Sequence, residues 1–428
     1  MLSRMNELKN LIKGRLWLPG DAGFDEARTP WNLSVNQPVA AVVEATGADD
    51  VAATVGYAAL HGLTVTAQAS GHGAVAAEGV ILLRTHLMDG VEIADGVARV
   101  GAGAKWGEVL AAAGPLGLTG LAGSSPVVSV AGYTLGGGVG WFGRKYGLAS
   151  SRVLAADVVD AAGARARVTA ESDPELFWAL RGGGGDFVVV TGLEFALDPA
   201  PVLYGGRVTW PLERAPEVLA AYREVTARAP EELTVWFDLM KFPGAPGFVA
   251  IDCTYLGEHP GELLRPFDAI GGTISDSRAV LPVADLGSIC AEPTDPTPGA
   301  GRVELLTGLD DAVADVLLAD PIDPLISVQV RHLGGALSRP SGGAAGRFTE
   351  PYLAYMVGAP LPGTAERMDA LSKALVPHTS GRKPYTMLHP GEQAAAAFDA
   401  SALARLRDLK RARDPHGVIR ANYPVLGA

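Results

Sequence analysis

One histidine in this sequence sits where chemistry is easily done. His72 lies in the turn Gln68-Ala69-Ser70-Gly71-His72-Gly73, directly after Leu63–Ala67, a run rich in β-branched residues that predicts a short strand. Small residues around it let the backbone approach a ligand, and consecutive N–H groups in such a turn form an anion-binding nest. An imidazole there can serve as a base, a metal ligand or a covalent attachment point. Further along comes a glycine-rich stretch, Gly123–Gly140, studded with Val127, Val128, Tyr133 and Leu135. A flexible linker would be serine-rich and poor in apolar residues. The run reads instead as buried backbone wrapped against a flat ligand, and it predicts neither regular helix nor central strand.

The surrounding elements must hold these two stretches. Val39–Val43 predicts a strand, Asp49–Leu60 a helix with acids in its first turn, and Leu63–Ala67 a second strand. That is a βαβ unit with parallel strands, and His72 falls at the carboxyl end of its second strand, where open α/β sheets place ligands. Ile81–Leu83 and Ala98–Val100 flank Asp-Gly turns and read as a hairpin pattern. A helix over Trp106–Ala113, strands over Val153–Val159 and Arg165–Thr169, a helix opened by Asp173-Pro174, and an apolar strand over Phe187–Phe195 follow. Beyond Pro199-Ala200-Pro201 the pattern changes. Strands (Gly206–Trp210, Leu233–Leu239, Phe248–Cys253, Ile326–Arg331, Tyr352–Val357) alternate with helices such as Pro216–Ala227, the mark of an antiparallel α+β unit. Thr294–Gly299 reads as loop. Asp399 caps a last helix, Ala400–Ala412, and an extended tail runs to Ala428.

Composition narrows the partners. With 428 residues, 48% of them hydrophobic, the chain buries a large core and divides by default into two domains. A net charge of −12 argues against nucleic acid or anionic membrane as a partner. Met1–Ile12 carries both charge signs and reads as a short amphipathic helix, neither signal peptide nor membrane span, so a cytoplasmic protein is expected. Cys253 and Cys290 are too few for a disulfide framework or a cysteine-rich metal site, and the eight histidines are scattered, so no metal is expected. No nucleophile elbow of the Gly-x-Ser-x-Gly kind stands near either glycine-rich turn.

Taken together, four ordered blocks resemble the vanillyl-alcohol-oxidase-type flavoproteins, specifically the berberine-bridge-enzyme-like branch. They are Ala69-Ser70-Gly71-His72, Gly123–Gly140, Asp173–Gly184 continuing to Thr191, and Asp414-Pro415 through Asn422. The resemblance implies an α+β fold of two domains: a PCMH-type FAD-binding domain over residues 1–200 (core about 34–199) and an inserted antiparallel-sheet substrate domain over 201–384. Residues 385–428 would return to the FAD domain. It further implies FAD held covalently through His72, with Ala69, Ser70, Gly71, Gly73, Ser125, Val128, Gly132, Tyr133, Gly136, Gly137, Gly138, Gly140, Val190 and Asn422 lining the cofactor. Doubly attached relatives have cysteine where Ser125 stands, and serine cannot form that thioether. Gln68 replaces a usual arginine, Asp186 a frequent asparagine and Val188 a frequent glycine. Val128 occupies the oxygen-gate position, where valine goes with O₂ access.

The reaction implied is oxidation of an alcohol, sugar or polycyclic secondary metabolite, with oxidative cyclisation within its scope and O₂ as re-oxidant. Such chemistry needs a base within reach of the substrate on the open face of the ring. Tyr385 and His332 are the first candidates, ahead of Tyr352, Tyr355 and His389; Trp236 reads as core. The expected partners are a small-molecule substrate and O₂, with the chain a monomer or homodimer. The competing readings are an NAD(P)H-using reductase of the same fold, akin to the UDP-N-acetylenolpyruvoylglucosamine reductases, and a non-catalytic ligand-binding relative.

Overall fold

A computed structural model of the chain describes residues 2–319 and 321–427; Met1, Asp320 and Ala428, and with them the outermost residues of the expected leader helix and tail, lie outside. Helix α1 (Leu2–Lys9) buries Met5 and Leu8 among the residues of the first sheet. That sheet contains β1 (Arg15–Trp17), β2 (Ala41–Glu44), β3 (Val65–Gln68) and β4 (Ile81–Arg84) in the order β1-β2-β4-β3. Between β2 and β3 runs α2 (Ala48–His61), which Gly62 ends in a left-handed conformation. The expected parallel pair is therefore parallel, but β4 lies between its members, pairing with both. The reason is burial. Ile81, Leu82 and Leu83 are all but inaccessible, so the most apolar strand takes the place covered on both faces.

The second sheet is antiparallel: β5 (Val91–Ala94), β6 (Val97–Gly101), β7 (Val153–Val159), β8 (Arg165–Val168) and β9 (Val189–Ala196), ordered β5-β6-β9-β7-β8. The hairpin here joins β5 to β6 through Asp95-Gly96, both at positive φ, rather than Ile81–Leu83 to Ala98–Val100. Helices α3 (Trp106–Ala113) and α4 (Val130–Leu135) precede β7, and α5 (Pro174–Leu180), capped by Asp173 Oδ1 on the Leu176 N–H at 3.1 Å, precedes β9.

The third sheet is built from β10 (Leu203–Pro211), β11 (Leu233–Met240), β12 (Phe248–Leu256), β13 (Ala300–Leu306), β14 (Leu325–His332) and β15 (Tyr352–Gly358). Their order is β10-β12-β11-β14-β15-β13, with two short strands on the β10 edge. Helices α6 (Ala215–Arg228), α7 (Asp311–Leu318) and α8 (Thr364–Leu375) cover one face, packing on Val235, Phe237, Leu239, Val328 and Val330. The other face turns toward the first two sheets: Trp236 stacks on Trp141 at 3.5 Å between ring centroids. Helix α9 (Ala400–Arg413) returns to α5, where Arg405 pairs with Glu175 and lies over Trp178. The segment after α9 runs beside β3, with reciprocal bonds between Val65 and the backbone of 418 and 420.

Candidate functional site

The His72 turn is held from three sides. Gly71 adopts φ +87°, and a Cβ there would meet Pro30 at 2.7 Å, so only glycine fits. The N–H groups of Trp31 and Asn32 bond the carbonyls of Ser70 and Gly71, which lays Trp31 on the His72 ring at 3.9 Å, nearly parallel. Asn422 donates from Nδ2 to the Gly73 carbonyl at 2.6 Å, and Arg84 donates to the Ala69 carbonyl at 3.2 Å. His72 Nδ1 lies 3.0 Å from Ser70 Oγ, while Nε2 is buried without a partner. Burial, with Lys105 nearby, pushes the imidazole pKa down to about 4. At neutral pH the ring is uncharged and offers a lone pair.

The glycine-rich stretch differs from the expectation in two ways. Part of it is helical, α4 enclosing Gly132. Several of its glycines also make room for side chains of the protein itself. A Cβ on Gly138 or Gly140 would meet Tyr133 at 2.6 Å, and one on Gly136 would meet Thr386 at 2.2 Å. Gly137, at φ +109°, borders Ala345. Gly73 is the open one: a Cβ there meets nothing within 4 Å. Ser125 is buried with its Oγ unpartnered, and the buried Tyr133 hydroxyl likewise has no partner. Burial raises the Tyr133 phenol pKa strongly, against the pull of Arg331. Val128 is half-buried beside this core, and Val190 sits inside it on β9, so any contact from Val190 is through its backbone.

These orphaned atoms test the fit of a cofactor. His72 Nε2, Gln68 Nε2, His86 Nδ1, Ser125 Oγ and Tyr133 Oη are all buried without partners. Each costs about 1–3 kcal/mol if left so, and their concentration on the 68–86 and 125–133 segments is what a ligand rich in donors and acceptors would repay. The residues present fit FAD.

The face of the third sheet left open by its helices carries a second group of buried polar side chains. Trp236 stands directly across from Arg331, Asp238 from Gln329, and Gln329 from Tyr355, so these five side chains share that face. Asp238 accepts from Ser327 Oγ at 2.5 Å and from Gln329 Nε2 at 3.2 Å, and burial lifts its pKa to about 7. Tyr355, half-buried, also has its phenol pKa raised by burial, with Arg331 opposing.

The two leading base candidates lie elsewhere. His332, one residue beyond Arg331, points to the helix-covered face, where Arg144 sits 3.0 Å from Nε2 and Tyr352 stacks on the ring. Burial beside that guanidinium pushes its pKa down to about 3. Tyr352 is on the same face, bonded to Thr226 at 2.8 Å. Tyr385 donates its hydroxyl to the Tyr423 carbonyl at 2.9 Å and packs against Gly184; burial raises its pKa strongly. His389 lies in the 385–392 loop, its N–H on Glu392. Of the five candidates, Tyr355 alone shares the face with Arg331. The signal for Asp238, Gln329 and Arg331 was present in the sequence: Ser327-x-Gln329-x-Arg331 alternates with Val328 and Val330, the period of a strand with one polar face.

A buried ion cluster carries the return segment to this site. Lys410 Nζ lies 2.9 Å from Asp414 and 3.5 Å from Asp186 and donates to the carbonyls of Asp186 and Ile419. Asp186 in turn accepts from the N–H groups of Ala421 and Val425, both at 3.0 Å. Asp186 thus anchors the segment bearing Asn422.

Comparison with known proteins agrees with this arrangement. Residues 39–169 match the FAD binding domain family. The chain is 28% identical to (R)-6-hydroxynicotine oxidase of Paenarthrobacter nicotinovorans, over 97% of each protein. It is 30% identical to chitooligosaccharide oxidase of Gibberella zeae, over 56% of this chain and 50% of that one. Among solved structures, 6-hydroxy-D-nicotine oxidase of Arthrobacter nicotinovorans superposes with a TM-score of 0.82 at 25% identity, covering 96% of this chain and 97% of the other. A BBE-like protein of Physcomitrella patens shares the fold, with a TM-score of 0.86 at 20% identity over 99% and 98%. Among the described residues no helix is long and apolar enough to cross a membrane, and no cluster of potential metal ligands occurs.

Proposed function

This chain is an FAD-dependent oxidoreductase with the berberine-bridge-enzyme-like fold, and we propose that it is an oxidase holding its flavin through one covalent bond to His72. The uncharged His72 ring, its Nε2 buried without a partner, at a turn open on the Gly73 side carries this reading. Ser125 Oγ provides a hydrogen bond but no second covalent link. In this reading residues 1–200 and 385–428 hold FAD and residues 201–384 supply the substrate pocket. The substrate is a small alcohol, sugar or alkaloid-type amine, as the names of the relatives suggest, and O₂ is the re-oxidant, admitted past Val128.

Bound flavin supplies a hydride acceptor. The protein's part is to place the substrate and take its proton. Tyr355 is the proposed base, replacing Tyr385 and His332, because its phenol shares the open face with Gln329 and Arg331, which act as positioning groups. Trp236 and Trp141, stacked across the two units, exclude water from one side. Arg331 beside Tyr355 favours the phenolate, partly offsetting its burial.

Acid precipitation of the purified protein tests the attachment. Flavin absorbance should stay in the pellet, map to the peptide containing His72, and move to the supernatant in His72→Ala. Flavin released from the wild type refutes the covalent bond.

A further inference from the structure

The protein satisfies its other buried arginine thoroughly. Arg144 donates to the carbonyls of Leu233, Leu333, Ala229 and Pro230. Arg331 is treated differently. It is 6% exposed, its Nε donates to Gln329 Oε1 at 2.6 Å, and its terminal nitrogens have no acceptor among the described residues. The guanidinium lies 4.0 Å above the Trp236 ring and 5.1 Å from the Tyr355 ring centre. The acids of this face are otherwise engaged. Asp252 takes a two-point bond from Arg207 at 2.6 and 2.8 Å, and Asp238 is bound to Ser327 and Gln329. Glu292, on the loop beyond, bears electrostatically on Tyr355 and forms no ion pair with Arg331.

A buried, aromatic-walled guanidinium with its fork free is built to receive a planar, doubly accepting anion. We propose that Arg331 is the carboxylate-docking residue of the substrate site, so that the molecule oxidised carries a carboxylate, held on the Arg331 fork with Trp236 and Tyr355 against its apolar body. This rests on the reading above that the open face of the third sheet is the substrate side. A carboxylate seated there would also complete the charge that Arg331 carries into the interior.

The test uses the FAD-loaded protein and two probes of equal shape, benzoate and neutral benzamide, followed through the visible flavin spectrum. Benzoate should perturb the spectrum saturably with an affinity at least about tenfold above that of benzamide, the scale of one charge-assisted bidentate contact. R331M should abolish that preference while keeping FAD, and R331K should retain part of it. The same preference is read without flavin from the rise in melting temperature that benzoate causes and benzamide does not. R331M should itself melt only slightly lower than the wild type, because it leaves the amide oxygen of Gln329 and no carboxylate unpaired. Equal binding of the two probes, or a benzoate preference that survives R331M, overturns the proposal and leaves the oxidase reading intact. A large fall in melting temperature in both variants overturns it too, by making Arg331 a structural residue. A protein that binds no FAD refutes the oxidase reading, and this one with it.

Discussion

Asp238→Asn should stabilise this protein, and do so more as the pH rises. Asp238 is buried, with its carboxyl group between Ser327 and Gln329, and burial raises its pKa from 3.8 to about 7. Below pH 4 the group is protonated both folded and unfolded, and it adds no pH dependence. Between about pH 4 and 7 the unfolded chain gives up the proton while the native state keeps it, so stability falls by up to about 1.4 kcal/mol per pH unit. Across that window the loss reaches about 4 kcal/mol by pH 8. An asparagine reproduces the protonated acid: its amide donates toward Ser327 and its carbonyl accepts from Gln329. Unfolding entropy for a chain of this size converts 4 kcal/mol into about 4–5 °C of melting temperature. Melting curves of the two FAD-loaded proteins from pH 4 to 8 make the comparison, with all other titrating groups cancelling in the difference. The gap should be near zero at pH 4 and widen through pH 7. A gap that stays flat, or a variant that melts lower at pH 8, refutes the claim that burial keeps this acid protonated.

Tyr355→Phe should lower kcat by about 100-fold or more with flavin content unchanged, whereas Tyr385→Phe should cost about 1 kcal/mol of stability and little activity. Equal losses in steady-state turnover would return Tyr385 to the candidate list. Val128→Leu should slow re-oxidation by O₂ by about tenfold, equivalent to about 1.4 kcal/mol on that barrier, while turnover with an artificial dye acceptor is kept. Unchanged stopped-flow re-oxidation would remove Val128 from the gate. Lys410→Met strands the buried carboxylates of Asp186 and Asp414 and should cost about 3–5 kcal/mol, read as a lowered melting temperature together with flavin loss.

The sequence made the turns around the candidate cofactor site legible because turn chemistry is local. A histidine between glycines after a strand, and a proline-opened helix capped by Asp173, are settled within a few residues, and both stand where expected. The strand pairing of β4 was not legible, since which of three parallel strands becomes central depends on burial from both faces. Which base candidates share a face was not legible for a related reason. His332 and Arg331 are neighbours in sequence, but alternation along β14 sends them to opposite faces, one onto the Arg144 guanidinium and the other onto the Trp236 ring. Reading the polar face through Ser327, Gln329 and Arg331 would have separated Arg331 from His332. Only the paired strand β15 then shows that Tyr355, rather than Tyr352, is on it.

The Asp186–Lys410–Asp414 cluster also sets a timetable. The His72 turn is synthesised early, yet the Asn422 bond to Gly73 and the strand-like bonds of Val65 require residues 414–425, made long afterwards. The clamp on that turn therefore closes only after the segment has left the ribosome and docked. A nascent chain stalled before residue 410 would carry the 68–73 turn and the 123–140 glycines and still lack the clamp. The bonds that hold the His72 turn are thus completed by a residue 349 positions further along the chain.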